Sequence, residues 1–131
     1  MKPNLRVMRL RISDILDIHE LIDDATARET NLESPFTLTN AEIFVTIYNT
    51  YGAWENNKLV GVFEIKKDGE LSYLVHKDER QRGVASEMLK MAPSVARRIF
   101  QVNTMYCNIN SKNIASLKTA KKLGFDVKRY D

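Results

Sequence analysis

Six consecutive residues, Arg80-Gln81-Arg82-Gly83-Val84-Ala85, hold the densest usable chemistry in the chain. They follow a strand-like stretch and open a stretch of helical periodicity. The start of a helix leaves four backbone N–H groups without partners, and its dipole adds roughly half a positive charge there. A glycine lets the backbone approach a bulky anion, and two guanidinium groups flank the same point. The combination describes a cradle for a phosphate or diphosphate. It is neither GxGxxG nor GxxxxGKS/T, so the dinucleotide and nucleoside-triphosphate loops do not fit. A solvated basic turn followed by a structural glycine would carry the same letters. Cys107 is the only cysteine, which excludes an intrachain disulfide and a cysteine-based structural zinc site. No metal site is expected.

Such a cradle needs a scaffold, and the composition bounds it. The chain has 131 residues, 44% apolar and 28% charged, the make-up of one globular domain spanning residues 1–131. Twenty Lys+Arg against seventeen Asp+Glu leave a net charge of +3. That is too mild to signal nucleic-acid binding, and clustered aromatics are missing as well. No apolar run approaches the ~20 residues that cross a bilayer, and no charged-then-apolar leader opens the sequence. A cytoplasmic protein with no membrane partner is the expectation.

The order of elements is more specific. Leu5 to Ile12 alternates apolar and basic residues and reads as a strand, with Met8 breaking the period. Ser13 is placed to cap a helix carrying Ile15, Ile18, Ile22 and Ala25, with His19 at the edge of its apolar stripe. After a loop at Glu33–Pro35, Thr39 or Asn40 can cap a second helix bearing Ile43, Phe44, Ile47 and Tyr48. Beyond Gly52 the period changes to that of strands. Ala53–Glu55, Lys58–Lys66 and Glu70–His76 form an antiparallel trio joined by turns at Asn56-Asn57 and Asp68-Gly69. A helix from Gly83 carries Val84, Met88, Met91, Val95 and Ile99, with a kink expected at Pro93. Thr104–Ile109 is a strand, Lys112–Leu123 a helix stopped by Gly124, and Phe125–Tyr130 a last strand. The reading is a layered α/β (α+β) fold in the order βααβββαβαβ.

A second stretch gives the order a meaning. Asn113 to Phe125 is a helix with a Gly-Phe stop. Together with Arg80–Ala85 it resembles the GNAT superfamily of acyl-CoA-dependent N-acetyltransferases. That family's phosphate loop reads Q/R-x-x-G-x-G/A, matched by Arg80, Gly83 and Ala85. Its later helix commonly reads N-x-x-A/S-x-x-x-Y-x-K-x-G-F, matched at Asn113, Ser116, Lys122, Gly124 and Phe125. The order of elements is also the family's, a mixed central sheet with helices on both faces, and it covers nearly the whole chain. The resemblance implies that backbone N–H groups of Gln81, Arg82, Gly83, Val84 and Ala85 hold the pyrophosphate of acetyl-CoA. Arg80 and Arg82 would add charge. Val75 matches the strand position that pairs with the pantetheine arm, beside a β-bulge and a splay, and Asn113 would bond the arm through its amide.

The resemblance also marks departures. The family's common helix tyrosine, the presumed acid for the leaving thiolate, is Ala120 here. A strand glutamate used as base in one branch is Asn108. Neither can exchange a proton at neutral pH. Replacement bases are Glu64, mid-strand and able to face a cleft, and Glu70, at the start of the central strand. The plainer reading is an exposed strand charge for Glu64 and a hairpin-end charge for Glu70. His76 could serve as a base or be a surface histidine. Tyr106 can donate to the thiolate or simply pack. Cys107 reads as a buried small side chain. The family normally ends with two strands, so the last is expected to be missing here, leaving an edge for a homodimer to complete or shield. Acceptor contacts are expected from Ala27 to Leu38, where Arg28, Glu29 and Glu33 sit. The implied activity is acetyl transfer from acetyl-CoA to a primary amine, of a small molecule or a protein, by direct attack in a ternary complex. An acyl-CoA-binding or interaction module with little activity is the alternative.

Overall fold

The computed structural model describes residues 2–30 and 32–130. Six strands lie side by side in chain order in one sheet: β1 (Arg6–Arg9), β2 (Thr50–Glu55), β3 (Lys58–Ile65), β4 (Glu70–Val75), β5 (Tyr106–Asn110) and β6 (Asp126–Tyr130). Neighbours from β1 to β4 are antiparallel, whereas β4–β5 and β5–β6 are parallel. A parallel neighbour requires a crossover, and helices α4 (Val84–Phe100) and α5 (Ile114–Lys122) supply the two. Helices α1 (Ile15–Leu21), α2 (Asp24–Glu29) and α3 (Leu38–Thr46) fill the connection from β1 to β2. The mixed α/β sheet of the sequence reading is present, with one helix more than its order allowed.

Each face of the sheet has its own apolar core. One gathers Phe63, Ile65 and Leu71 with Met88, Leu89 and Val95 of α4 and with Leu117 and Ala120 of α5. The other gathers Trp54, Val62 and Leu74 with Ile18 of α1, Ala27 of α2, and Ala41 and Phe44 of α3. Coverage on both sides explains the break in period at Met8. Val7 packs toward the first core and Met8 toward the second, so both positions favour apolar side chains.

The extra helix originates at Asp23, whose Oδ1 accepts the Thr26 N–H at 2.8 Å and so caps α2. The single helix expected from Ser13 therefore stops at Ile22 and restarts. Ser13 itself lies inside a 3-10 turn, Ile12–Asp14, where Asp14 accepts the Arg11 N–H at 2.8 Å. Ala25 and His19 are exposed rather than packed. Helix α3 begins earlier than expected because Thr37, not Thr39 or Asn40, caps it. Its Oγ1 accepts the Asn40 N–H at 3.1 Å while Asn40 Oδ1 accepts the Thr37 N–H at 2.9 Å. Thr37→Ala should cost about 1 kcal/mol, read as a lower urea midpoint at unchanged m-value.

Strand β2 passes through Gly52 because that glycine makes room for the Trp54 indole; a Cβ there would lie 2.6 Å from the ring. Asn56 and Asn57, at φ 50° and 68°, turn into β3 with both residues left-handed, as a type I′ hairpin requires. The β-bulge expected near Val75 is not in β4, whose register with β3 is continuous. A separate register shift is present in the β2–β3 ladder, between Ala53 and Trp54, where Val60 is the additional residue of β3. Helix α4 continues through Pro93 as one 17-residue helix. Ile47 and Ile99, read as stripe residues, are 70% and 46% exposed where their helices end.

Candidate active site

The sheet opens in its middle. β4 and β5 pair only at Glu70↔Tyr106 and Leu71↔Cys107, and beyond these two pairs Ser72–Val75 and Asn108–Asn110 have no partners in each other. The far side of β5 is fully occupied by β6. Directly after β4, the His76 N–H donates to Val60 O at 2.8 Å. Alternation along a strand then turns the N–H and C=O of Val75 away from β3 and into the gap. The Val75 carbonyl accepts Arg80 Nε at 3.2 Å. Tyr73 ties β4 to α5 by donating its hydroxyl to Ser116 O at 3.1 Å. Burial pushes this phenol up to about 12, so it stays protonated at neutral pH. Asn113 stands at the N-terminus of α5, where its Oδ1 accepts the Ser116 N–H at 3.3 Å.

At the end of β4 the chain makes a 3-10 turn, Lys77–Glu79, and then passes through two left-handed residues, Gln81 at φ 64° and Gly83 at φ 87°, into α4. No side chain caps this helix. A Cβ added to Gly83 would meet only Pro3 Cδ, at 3.7 Å. The backbone of Gln81–Gly83 is therefore exposed at an uncapped positive helix end, with open space above it. Val84 is buried and anchors the first turn in the core, while Ala85 is half-buried beside it.

The two arginines differ. Arg82 lies 2.6 Å from Glu55 and 2.8 Å from Glu79, and these carboxylates raise its pKa further. Its charge is already compensated, so it braces the turn. Arg80 reaches the opposite way, with Nη2 donating to Thr26 Oγ1 at 3.3 Å and Nη1 lying 3.4 Å from Glu29 Oε2.

The gap continues into a cavity of about 500 Å³ between the sheet and the ends of α2 and α3. Glu64, Glu70, Asn108 and Asn113 all line it, together with Glu29, Ser72, Tyr73 and Tyr48. Burial raises the Glu64 carboxyl above its ordinary 4.5; the charge of Glu70 pushes the same way, and Lys66 opposes. Glu70 accepts the Tyr106 hydroxyl at 3.2 Å and lies 3.7 Å from Lys66 Nζ.

Tyr106 is not brought to the gap. It sits at the closed end, where β4 and β5 still pair, with its hydroxyl also on Asp68 at 2.8 Å and Lys128 Nζ 4.3 Å over its ring. The bond to Asp68, with burial and the Glu70 charge, pushes its phenol up to about 12. His76 is buried and uses Nδ1 to accept the Asp78 N–H at 3.1 Å. Cys107 is buried and its thiol is pushed up to about 12 by that burial, which leaves it unreactive. Tyr73 and Tyr48 were not legible as site residues. Tyr73 alternates with Leu71 and Val75 and reads as core, and Tyr48 reads as one more position of a helical stripe. Among the described residues, no cluster of three His, Cys, Asp or Glu can hold a metal, and no helix is long and apolar enough to cross a membrane.

The comparisons with known proteins bear on this geometry. A family model described as acetyltransferase (GNAT) domain matches residues 4–126. Among solved structures, a GNAT acetyltransferase from Bacillus anthracis superposes with a TM-score of 0.78 at 17% identity, over 95% of this chain and 81% of that one. A chimeric spermidine N-acetyltransferase from Vibrio cholerae gives 0.73 at 18% identity, over 92% and 79%. A diaminobutyrate acetyltransferase from Paenibacillus lautus, in complex with L-2,4-diaminobutyric acid and coenzyme A, gives 0.68 at 17%, over 92% and 75%. At such identities the superpositions speak for the fold, and the family model, which spans nearly the whole sequence, speaks for descent. The chain belongs to the GNAT family of acetyltransferases.

Proposed function

We propose that the protein transfers an acetyl group from acetyl-CoA to the primary amine of a cationic acceptor, by direct attack in a ternary complex. The observation that carries the reading is the opening of the sheet between β4 and β5 into a cavity lined by carboxylates. Acetyltransferases of this family use acetyl-CoA, and the residues here fit it. The space over Gly83 and the uncapped start of α4 suit a diphosphate. The N–H groups of Gln81 to Ala85 would hold that diphosphate. The strand edge at Val75 and the amide of Asn113 would align the pantetheine arm in the gap. When bound, acetyl-CoA supplies the thioester; the acceptor is then held by the cavity.

Glu64 is the group we assign to proton removal. An amine attacks only in its neutral form, and a half-buried carboxylate with a raised pKa is a stronger base than an exposed one. As the amine nitrogen bonds to the carbonyl carbon, its proton passes to Glu64. The carbon–sulfur bond breaks, the thiolate takes a proton from water, and Glu64 returns its proton to the hydroxide so formed. Glu70 sustains the negative potential of the cavity. Glu29, Glu64 and Glu70 outnumber Lys66 on its wall, and Phe44 and Tyr48 add aromatic surface, a lining suited to a cationic amine.

The test has two stages. Calorimetry should show coenzyme A binding, and initial rates over a panel of diamines, monoamines and peptide N-termini should then show transfer, fastest to amines with a second positive charge. Tight coenzyme A binding with no transfer to any of them would replace this reading with that of an acyl-CoA-binding module.

A further inference from the structure

The two halves of the proposed site are connected by one side chain. Arg80 directly precedes the diphosphate cradle, yet its guanidinium points away from it, into the helical layer that walls the acceptor cavity. Its Nε is on Val75 O at 3.2 Å, its Nη2 on Thr26 Oγ1 at 3.3 Å, and its Nη1 is 3.4 Å from Glu29 Oε2. Glu29, at the end of α2, also lines the cavity. The Arg80–Glu29 pair is loose: the side chains are 41% and 54% exposed, and the contact is not a short charge-assisted hydrogen bond. Thr26 holds the same guanidinium through a neutral hydroxyl.

We propose that this ion pair is a relay: a diphosphate in the cradle draws Arg80 off Glu29, and the freed carboxylate becomes the anchor for a second cationic group on the acceptor amine. The inference rests on the function proposed above. Its physics is competition for one cation. A diphosphate carries more charge than a single exposed carboxylate and sits at a helix start that already favours anions. Once Arg80 turns toward it, Glu29 faces the cavity without a counter-ion and the negative potential there rises. An ammonium group restores neutrality. Linkage makes the effect reciprocal, so a diamine engaging Glu29 releases Arg80 and strengthens coenzyme A binding by the same factor. The acceptor favoured by this arrangement carries two positive charges, one at the reacting amine and one for Glu29.

The experiment is calorimetry with coenzyme A on the wild type, Glu29→Gln and Glu33→Gln. Glu29→Gln keeps the shape of an exposed side chain and removes the competitor for Arg80. Glu33, exposed on the loop after α2, controls for the loss of one negative charge. Glu29→Gln should tighten coenzyme A binding by about two- to fivefold, the strength of an exposed ion pair, and Glu33→Gln by distinctly less. In turnover, Glu29→Gln should reduce kcat/KM for 1,4-diaminobutane by about tenfold more than for butylamine. If Glu29→Gln weakens coenzyme A binding, leaves it unchanged, or matches Glu33→Gln, the pair is a static staple between α2 and β4 and the relay is wrong. An equal loss for both amines would likewise remove Glu29 as the second anchor. If the wild type binds no coenzyme A, the proposed function itself fails, a result distinct from either of these.

Discussion

Gly83→Asp should abolish measurable coenzyme A binding while leaving the far-ultraviolet circular dichroism unchanged. The only atom a Cβ there would approach within 4 Å is Pro3 Cδ, at 3.7 Å, so the aspartate has space, and beyond the left-handed strain any side chain meets at φ 87° its cost falls on the ligand. Its carboxylate would occupy the volume assigned to the diphosphate, at a helix start whose value lies in being positive. Two unit charges 4 Å apart near a surface repel by about 4 kcal/mol, close to a thousandfold in affinity, and a diphosphate carries more than one charge. Gly83→Ala separates the causes. It retains the left-handed strain at φ 87°, on the order of 1–2 kcal/mol for a non-glycine residue, but adds no charge. Calorimetry should therefore show intermediate affinity for the alanine variant and none for the aspartate. Equal, near-native affinity in both would place the anion elsewhere.

Glu64→Gln is expected to lower kcat by about 10²–10⁴-fold, the usual worth of a positioned general base, with coenzyme A affinity unchanged. The pH profile adds a sharper criterion. Glu64 accepts a proton only when ionised, and burial with the neighbouring Glu70 charge holds its pKa above 4.5. The wild-type rate should rise with pH through that elevated value, and the glutamine variant should lose this limb. Stability moves in the other direction. An acid whose pKa is raised in the folded state binds protons more tightly folded than unfolded, so it stabilises less as pH climbs from 4.5 through the folded value. Above that window the wild type bears the cost of an ionised, half-buried carboxylate and the variant does not. Glu64→Gln should thus melt at a slightly higher temperature at neutral pH while being far slower, as is common where a site sacrifices stability for activity. A variant with full activity and an unaltered pH profile would remove Glu64 from the chemistry.

The scaffold was legible in the sequence wherever periodicity and turn chemistry agreed. The three antiparallel strands were marked by Asn56-Asn57 and Asp68-Gly69, and the last helix by its Gly124 stop. The errors came where a local hydrogen bond overrode periodicity. Asp23 captured the Thr26 N–H and split the first helix, and Thr37 captured Asn40 before Thr39 could act as a cap. At Gly52 a residue that usually ends strands was retained inside one because an indole lies over it. Of the site, the stretch Arg80–Ala85 announced itself because exposed donors, glycine and charge coincide in six consecutive residues. The reach of its arginines did not. Both guanidinium groups pair with carboxylates distant in sequence, Glu55 and Glu29, and spacing carries no information about such partners. The partners of Tyr106 were hidden for the same reason, since alternation gives a side chain's face of the sheet but not which neighbour holds its hydroxyl.

Two residue pairs are all that join β4 to β5. A continuous sheet distributes its cohesion along every ladder, but here one seam is nearly unstitched and is closed mainly by the greasy layer under α4 and α5. An extended molecule lying in that seam would be mortar as well as reactant. By mass action the folded state gains from whatever binds it alone, so a donor bound in the seam, as proposed, would make the resilience of this enzyme rise and fall with the supply of that donor.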